Sequence, residues 1–447
     1  MRGGVPVNLI GLDIGTTSIS AAVLDAENCV TRKTYTIAND SFLPARDSWE
    51  RIQDPEKIIR SAVSLLEECL ESFPEPAVIG LTGQMHGIVY VNGDGKYVSP
   101  LYTWQDGRAN LAGADGESLC SELHGKYGLP FYAGYGLVTH LYNLRHHLVP
   151  EDAVTFCTIT DVLGMVLTGR KTPLVHSSNA AGFGFYDAAS LCFRTDLLAQ
   201  EGMPASFLPE TTASVALLGN FRGIPVSIAL GDNQASFLGS VSRADRQILV
   251  NMGTGGQVSL LADRVISGED IETRPFIEDS YLVVGASLCG GRAYAALASF
   301  FEAVAAAAGV KDFDAYSMMD GLLSSYSNPD RLKVRTTFSG TRDHPGRRGA
   351  VENLSTENFD PASLTYGVLD GIAQELYDRY LAMGLKKSSI VASGNGMRRN
   401  RHLQVITAEK FGMELELSSL TEEASCGAAI AGGTAIGNRT WRQAVGL

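Results

Sequence analysis

Residues 8–25 have the sequence NLIGLDIGTTSISAAVLD, in which two apolar runs flank the pentapeptide DIGTT at 13–17. This pattern predicts a β-hairpin, because Gly tolerates the positive φ that tight hairpin turns need. Residues 247–261, QILVNMGTGGQVSLL, repeat the pattern around the tip GTGG at 253–256. The hairpins lie about half the chain apart, which indicates two related halves, each opening on a hairpin whose tip could bind an anion.

Further along the chain, strands and helices are predicted in alternation. Asp54 and Pro55 form a helix-start signal, and apolar residues follow at i, i+3 and i+4 spacing as far as Leu70. The remaining patterns predict strands at 77–81, 88–91 and 389–392, helices at 292–308, 364–381 and 402–411, and loops at 82–87, 263–278 and 393–401. This alternation predicts an α/β protein with mixed sheets.

The length of 447 residues suggests two to four domains at roughly 100–200 residues each. We place the boundary between the halves near Arg243 and expect domains at 1–242 and 243–447. No low-complexity linker joins them, so we expect the halves to pack against each other with a cleft between them.

Charge and cysteine spacing exclude several classes of protein. The formal net charge of −13 works against sequence-independent binding of nucleic acid or of an anionic membrane. The seven Cys are scattered singly, without the paired spacing of a disulfide framework or a zinc ribbon. No signal peptide is evident at the start, and the Ala-rich segment 293–310 carries Glu302 and predicts a buried helix. We expect a soluble, cytoplasmic protein with neither a nucleic-acid nor a membrane partner.

Both hairpin tips have the residues of a phosphate site. Backbone N–H groups and Thr hydroxyls at a tight turn can bind phosphate oxygens, and Asp13 can hold Mg²⁺ through water. The alternative is a plain turn, since Asp, Gly and Thr are common in turns. The chain has no P-loop sequence and no G-x-G-x-x-G after a strand. The loop SGNG at 393–396 could let a flat ligand approach its backbone, or it is only a turn.

Three segments could bind or activate a hydroxylated substrate. Asp232 follows the apolar strand 226–230, where it is either a general base for a hydroxyl or the N-cap of the next helix. The segments QMHG at 84–87 and TWQDGR at 103–108 combine hydrogen-bonding side chains with an indole, which suits a polyol. Trp and His are also ordinary core residues. The adjacent His146 and His147 lack a further ligand at helical spacing and indicate no metal site.

In this order, the motifs resemble those of the FGGY family of carbohydrate kinases, within the actin/hexokinase/Hsp70-like superfamily, over essentially the whole chain. DIGTT and GTGG resemble the two phosphate loops, GQMHG the sugar loop, GDN at 231–233 the loop of the catalytic base, and SGNG onward to Asn400 the adenosine loop. The resemblance implies two ribonuclease-H-like α/β domains with mixed sheets flanking a central cleft. The first, 1–242, would hold the sugar and the first phosphate loop, and the second, 243–447, the second phosphate loop and adenosine.

The segment TWQDGR and the surroundings of Asp232 are most similar to family members that act on sedoheptulose. The resemblance therefore implies Mg²⁺-dependent transfer of phosphate from ATP to the terminal hydroxyl of a ketose, most directly sedoheptulose to sedoheptulose 7-phosphate, by a monomer or homodimer. One alternative is a kinase for xylulose or another ketose or polyol. Another is an actin/Hsp70-like nucleotide switch without a sugar substrate.

The resemblance also implies roles for particular residues. Asp232 would be the catalytic base, and Asp13 would hold Mg²⁺. The implied sugar-binding residues are Gln84, Met85, His86, Trp104, Asp106, Arg108 and Asn233. The implied nucleotide-binding residues are Gly15, Thr16, Thr17, Gly253, Thr254, Gly255, Gly394, Asn395, Gly396 and Asn400.

Five residues depart from the family's pattern, and one of them is Gln105, in place of the Asn of the family's Trp-Asn-Asp-x-Arg. His140 and Asn143 stand where many members carry Lys and Trp, His176 takes the place of a common Asp, and Glu409 replaces an Asp. None belongs to the implied catalytic set, so these departures bear on the identity of the sugar more than on phosphoryl transfer.

Overall fold

The computed structural model describes residues 7–113, 116–341, 343–344 and 346–447, and the chain divides into two compact units. Unit 1 contains the residues up to Gly239 together with Arg274–Tyr281 and Leu420–Leu447. Unit 2 contains Ser240–Thr273 and Leu282–Ser419.

Strands and helices alternate along the described chain. The strands are β1 Asn8–Ile14, β2 Ser18–Asp25, β3 Thr31–Ala38, β4 Ile52–Gln53, β5 Val78–Gly83, β6 Val89–Asn92, β7 Leu101–Tyr102, β8 Ala153–Cys157, β9 Leu174–His176, β10 Tyr186–Asp187, β11 Cys192–Phe193, β12 Glu210–Thr212, β13 Leu217–Phe221, β14 Ile224–Gly231, β15 Gln247–Met252, β16 Gly256–Ala262, β17 Ile271–Pro275, β18 Tyr281–Ser287, β19 Lys333–Arg335, β20 Ala350–Glu352, β21 Ser389–Ser393 and β22 Glu414–Leu417. The helices are α1 Pro55–Ser72, α2 Leu119–Tyr127, α3 Gly136–Arg145, α4 Ile159–Thr168, α5 Ser177–Ala181, α6 Thr195–Gln200, α7 Asp232–Ser240, α8 Gly290–Ala307, α9 Ala315–Ser324, α10 Pro361–Ala382, α11 Asn395–Arg399, α12 Arg401–Phe411, α13 Glu423–Ala435 and α14 Trp441–Ala444.

The main sheet of unit 1 is mixed, with the strand order β13-β14-β5-β1-β2-β3. The predicted first hairpin is confirmed, since β1 and β2 pair antiparallel, although Gly15 does not adopt the positive φ on which the prediction is based. Strand β5 runs parallel to both β1 and β14, and in this register Thr82 lies opposite Asp13 on one side and Leu230 on the other. The carboxyl ends of three parallel strands therefore meet at one edge of the sheet, where the residues that follow them come together.

The main sheet of unit 2 is also mixed, with the order β17-β18-β16-β15-β21-β22. The second predicted hairpin, β15–β16, is antiparallel, and β21 pairs parallel with β15 and with β22. The two main sheets have corresponding strand orders, β18-β16-β15-β21-β22 in unit 2 and β3-β2-β1-β5-β14 in unit 1. This correspondence supports two related halves. Asn251 lies opposite Ser393 in this register, so the GTGG and SGNG segments follow adjacent strand ends.

Local signals account for the helix that covers one face of the first sheet. Asp54 caps α1 by accepting hydrogen bonds from the N–H groups of Glu56 and Lys57, and Pro55 occupies the first turn. The face that includes Ile58, Ala62 and Leu66 is buried, as the apolar spacing predicts. At roughly 1.5–3 kcal/mol for each large apolar side chain fully buried, this face is what holds the helix on the sheet.

Close backbone packing explains why the two units differ from the predicted halves 1–242 and 243–447. Helix α13 lies so near β1 and β5 that a Cβ at Gly11 would fall 1.8 Å from the Ser425 carbonyl, and one at Gly80 1.8 Å from the Ala428 carbonyl. The last 28 residues, Leu420–Leu447, therefore belong to unit 1. Their apolar, Ala- and Gly-rich sequence does not reveal which sheet they cover.

Three local predictions were wrong. The segment 263–278, expected as a loop, contains β17, whose polar sequence fits an edge strand. The loop expected at 393–401 contains the short helix α11. The helix expected to be buried, α8, buries only one face, and Phe300 and Val304 are each more than half exposed. Within the described part of the chain, no helix has both the length and the apolar character needed to cross a bilayer.

Candidate active site

The tip of the β1–β2 hairpin is held from behind by two side chains. Asn39 donates from Nδ2 to the Gly15 carbonyl at 2.8 Å and from its backbone N–H to the Thr17 carbonyl at 2.9 Å. Gln53 Nε2 donates to the Thr16 carbonyl at 2.9 Å. Three successive carbonyl groups are therefore bound, and the tip has the fixed backbone that a preorganised anion site requires.

The hydroxyl of Thr16 joins this tip to both segments predicted to bind sugar. Thr16 Oγ1 donates to Gln84 Oε1 at 3.3 Å and accepts from Trp104 Nε1 at 3.0 Å. A hydroxyl has a single hydrogen to donate, so this geometry does not favour the expected hydrogen bond from the Thr16 side chain to a phosphate. Thr17 is exposed and better placed for that contact.

Asp13, at the end of β1, has an unsatisfied oxygen. Among the described residues, none donates a hydrogen bond to its buried Oδ1. Burial, together with the negative charges of Asp232 and Glu422, raises the pKa of Asp13 to about 7. A carboxylate with an orphaned oxygen and further negative charge around it fits a divalent cation.

The surroundings of Asp13 resemble a magnesium site more than a site in which protein side chains supply every ligand. Mg²⁺ usually keeps several waters and takes one or two carboxylates plus substrate phosphates. In the part of the chain described, no group of three or more His, Cys, Asp or Glu side chains could hold a metal.

Asp232 begins α7 directly after β14, at the same sheet edge. Its Oδ1 accepts two hydrogen bonds from Asn233, from the backbone N–H at 2.6 Å and from Nδ2 at 2.8 Å. No described residue has a hydrogen bond to Oδ2, which is thus the oxygen open to an incoming hydroxyl. Burial raises the pKa of Asp232 above its usual range, while the charge of Arg274 and the bonds from Asn233 oppose the shift.

This geometry differs from that of an N-cap. A capping side chain accepts from the second or third N–H of its helix, whereas Asp232 is bound by the residue that immediately follows it. The structure therefore does not show Asp232 as the N-cap of α7, and its role as a general base stays a prediction.

The QMHG segment leaves β5 beside Asp232. Gln84 and Met85 are buried, and Met85 Sδ lies 3.8 Å from Asn233 Nδ2. His86 has a left-handed φ of 72° and its ring stacks on Tyr135 at a centroid distance of 4.9 Å. Its Nδ1 lies 2.8 Å from the Gly182 carbonyl, and since a carbonyl only accepts, Nδ1 carries a hydrogen.

Trp104 presents an apolar surface next to these groups. Its indole is 46% exposed while Nε1 is bound to Thr16, which fixes the ring with part of its surface open to solvent. Such an arrangement suits the C–H face of a polyol. In unit 1 the structure thus brings together the predicted Asp13, Thr16, Gln84, Met85, Trp104, Asp232 and Asn233.

Asp106 and Arg108 do not fit their predicted role as sugar ligands. Both are buried, at 1% and 3% exposure, and Arg108 donates from Nε to Asp106 Oδ1 at 2.7 Å and from Nη2 to Oδ2 at 3.2 Å. The Asp106 carboxylate also accepts from the Arg51 N–H, and Arg108 Nη1 donates to Asn143 Oδ1 at 2.7 Å. Their polar atoms are used inside the protein, so the pair acts as a buried brace for the segment that carries Trp104.

Two of the departures from the family's pattern belong to this brace. Asn143 Nδ2 donates to the Tyr90 hydroxyl at 3.2 Å, and the same hydroxyl lies 2.9 Å from His140 Nδ1. His140 and Asn143 therefore continue the polar chain that begins at Asp106 and Arg108. Sequence spacing gave no sign of this connection.

The candidate nucleotide site lies within unit 2, in a pocket of about 990 Å³. Of the predicted residues, Gly253, Thr254, Asn395, Gly396 and Asn400 line it. Gly255 and Gly394 are not among the lining residues, although each is adjacent in sequence to one that is. Gly394 has a φ of 81°, and a Cβ there would lie 2.5 Å from the Met252 carbonyl, so only Gly fits.

The amino end of α8 also meets the GTGG tip. The N–H groups of Gly291 and Arg292 donate to the carbonyls of Gly253 and Thr254 at 3.2 and 2.9 Å. Arg292, Tyr294 and Tyr316 line the same pocket, and none of them was predicted. The pair Gly290-Gly291 after a strand was the sequence signal that could have pointed to them.

Comparison with known proteins places the chain in one family along nearly its whole length. The FGGY family of carbohydrate kinases matches with its N-terminal domain over residues 8–239 and with its C-terminal domain over residues 249–436. The interval 240–248 between them contains the predicted boundary.

Individual relatives agree with this match. Sedoheptulokinase of Mus musculus is 28% identical, over 89% of this chain and 91% of the relative. Xylulose kinase of Staphylococcus epidermidis is 23% identical, over 96% of this chain and 88% of the relative. The crystal structure of xylulose kinase from Rhodospirillum rubrum shares the fold with a TM-score of 0.85, at 23% identity and covering 98% of this chain and 92% of that one.

These matches settle the choice between a carbohydrate kinase and a nucleotide switch without a sugar substrate. The predicted two-domain α/β fold with mixed sheets is confirmed by the sheets of both units and by the structural match. The chain belongs to the FGGY family of carbohydrate kinases.

Proposed function

We propose that this protein transfers the terminal phosphoryl group of ATP to the terminal hydroxyl of a ketose, most directly sedoheptulose, with Asp232 as the general base. The observation that carries the proposal is the Asp232 carboxylate itself. One of its oxygens is fixed by Asn233 and the other is open, at a sheet edge shared with Asp13 and the QMHG segment.

Phosphoryl transfer places few covalent demands on the protein. The transition state is loose, so catalysis depends on aligning the acceptor and stabilising charge. Asp232 Oδ2 would accept the proton of the hydroxyl as its oxygen attacks phosphorus, and Asn233 would keep the carboxylate from rotating away. Burial, which raises the pKa of Asp232, brings its basicity closer to that needed near neutral pH.

The residues around Asp13 fit Mg²⁺. The orphaned Oδ1 and the nearby charges of Asp232 and Glu422 are the grounds for placing the ion there. When bound, Mg²⁺ would neutralise charge on the phosphates of the nucleotide. The N–H groups of the fixed tip and the Thr17 hydroxyl would bind phosphate oxygens.

The pocket of unit 2 would hold the nucleotide. The Gly253–Gly255 backbone and Thr254 are suited to its phosphates, and the Gly394–Gly396 segment allows a flat base or ribose to approach closely. Asn400 is fixed from two sides, because its Oδ1 caps α12 and its side chain hydrogen-bonds to the Tyr294 hydroxyl. The Asn400 side chain is therefore held in place at the wall of the pocket.

For the sugar, we propose contacts from His86 and Asn233 with Met85 and the Trp104 ring as apolar walls, while the Gln84 amide is already bound to Thr16 and Gln53. Asp106 and Arg108 would hold this wall in place without touching the sugar. Sedoheptulose is favoured by the relative from Mus musculus, and xylulose is the second candidate because of the relative from Staphylococcus epidermidis.

The test is ADP release by the purified protein with ATP and Mg²⁺ against D-sedoheptulose, D-xylulose, L-ribulose and glycerol. The proposal expects the highest kcat/KM with sedoheptulose. A higher kcat/KM for xylulose would show that xylulose is the preferred substrate, and the proposed type of reaction would still hold. ADP release that no sugar stimulates would contradict the proposed reaction.

A further inference from the structure

A short helix fastens the strand end that leads to the catalytic base. Helix α5 lies beside the last residues of β14, and the N–H of Gly231 donates to Ser178 Oγ at 2.9 Å. The next residue, Asn179, donates from Nδ2 to the Ala229 carbonyl at 3.0 Å. Gly231 is the residue before Asp232, so these contacts fix the backbone from which the carboxylate extends.

His176 determines which way the hydrogen bonds of Ser178 point. The imidazole is fully buried, with Nε2 3.0 Å from the Ala213 carbonyl and Nδ1 2.8 Å from Ser178 Oγ. A carbonyl only accepts, so Nε2 carries the hydrogen and Nδ1 is an acceptor. Ser178 must then give its hydroxyl hydrogen to Nδ1, which leaves its oxygen free to accept the Gly231 N–H.

This one-directional chain needs a neutral imidazole. An imidazolium would donate from both nitrogens and compete with the Ser178 hydroxyl for Nδ1. Burial lowers the pKa of His176 to about 4, so the ring is neutral at physiological pH. The Ser178 N–H, which donates to Nδ1 at 3.1 Å, is a further contact that only the neutral tautomer can accept.

Gly231 is confined on its other side as well. A Cβ on this residue would lie 2.6 Å from Gln234 Oε1 and 2.7 Å from Met85 Sδ. The peptide before Asp232 is therefore packed against Met85 and Gln234 and tied to Ser178, with little room to move without breaking a buried hydrogen bond.

We infer that His176 and Ser178 are positioning residues for phosphoryl transfer: the chain Ala213 carbonyl–His176–Ser178–Gly231 sets the place of the Asp232 carboxylate. The inference rests on the proposed role of Asp232 as base. It also gives a function to the histidine that stands where the family commonly carries Asp.

The matched pair Ser178→Ala and Ser177→Ala tests it. Both serines are buried in α5, and Ser177 has comparable hydrogen bonds, to the Thr212 carbonyl at 3.1 Å and from the Tyr186 hydroxyl at 3.0 Å, but none to β14. Misplacement of a reacting group by about 1 Å can cost 10²-fold in rate, so Ser178→Ala is expected to lower kcat by about 10- to 100-fold with KM for ATP within about twofold. Ser177→Ala is expected to lose similar thermal stability and keep kcat within about twofold.

Replacement of His176 provides a rescue test. In Asn, the side-chain oxygen can take the position of Nδ1 and accept from Ser178, whereas Gln places its polar atoms near Nε2. His176→Asn should therefore keep a kcat near that of the native protein, and His176→Gln should lose kcat as Ser178→Ala does. Equal kcat in the two serine variants, or a kcat higher in His176→Gln than in His176→Asn, would overturn the inference.

The roles of Asp232 and of the positioning chain can be tested separately. If Asp232→Asn abolishes turnover while Ser178→Ala matches the native protein, Asp232 is the base and the positioning role of His176 and Ser178 is wrong. If Asp232→Asn turns over normally, the proposed base is wrong and the inference falls with it.

Discussion

Replacing Arg108 by Met distinguishes a buried brace from a sugar ligand. Met fills a similar length but has no charge and no donor, so it removes the two bonds to Asp106 and the bond to Asn143. It also removes the guanidinium that lies 4.3 Å from the centre of the Tyr102 ring. The Asp106 carboxylate would keep only backbone donors, the N–H groups of Arg51 and residue 108.

The expected cost follows from burial. Removing one partner of a buried ion pair typically destabilises a protein by about 3–5 kcal/mol, because the remaining charge is uncompensated. The two backbone donors that remain at Asp106 place the expectation at the lower end, about 3 kcal/mol. Combining Arg108→Met with Asp106→Asn removes the uncompensated charge, so the double variant should be less destabilised than Arg108→Met alone.

Urea unfolding followed by tryptophan fluorescence measures this cost in the relevant part of the chain. All three Trp residues, 49, 104 and 441, belong to unit 1, so their emission reports on that unit. Unchanged unfolding of Arg108→Met, together with a tenfold or greater rise in KM for the sugar, would refute the brace and restore Arg108 as a ligand.

Three further predictions concern the active site. The kcat should fall as pH decreases, because the base must be ionised. The midpoint should lie above the ordinary Asp pKa of about 3.9, because burial raises the pKa of Asp232. A kcat that stays constant down to pH 4 would contradict the role of Asp232 as the base. His86→Ala should raise KM for the sugar several-fold more than KM for ATP, and steady-state kinetics with each substrate varied would show an equal rise if His86 had no sugar role. Gly396→Ala should weaken ATP binding, measured by calorimetry, at least tenfold, because the added Cβ would fall 2.6 Å from Met252 Cγ. Gly321→Ala on α9 is the control, and it should leave ATP binding unchanged because a Cβ there meets nothing within 4 Å.

Features with local causes could be predicted from the sequence. The two hairpins follow from apolar runs around Gly-containing tips, and α1 follows from Asp54, Pro55 and a regular apolar face. The strands that precede Asp13 and Asp232 could be predicted from their apolar runs, but their place in one sheet could not.

Features that depend on tertiary contacts could not be predicted. Nothing in the sequence shows that Asp106 and Arg108 neutralise each other, because their mutual orientation depends on burial. Helix α13 packs on unit 1 because Gly11 and Gly80 have no side chains to keep it away. In the sequence, these two residues cannot be distinguished from other glycines in strands. His176 reaches Gly231 only through Ser178, across more than 50 residues of chain.

The central claim is that Asp232 activates the sugar hydroxyl, and it is tested most directly by turnover of Asp232→Asn beside its affinity for ATP. Asn keeps the shape of the side chain but cannot accept the proton, so kcat with sedoheptulose should fall at least about 10²-fold while the dissociation constant of ATP with Mg²⁺ changes little. Turnover within a few-fold of the native protein would contradict the account, because the reaction would then proceed without the Asp232 carboxylate as its base.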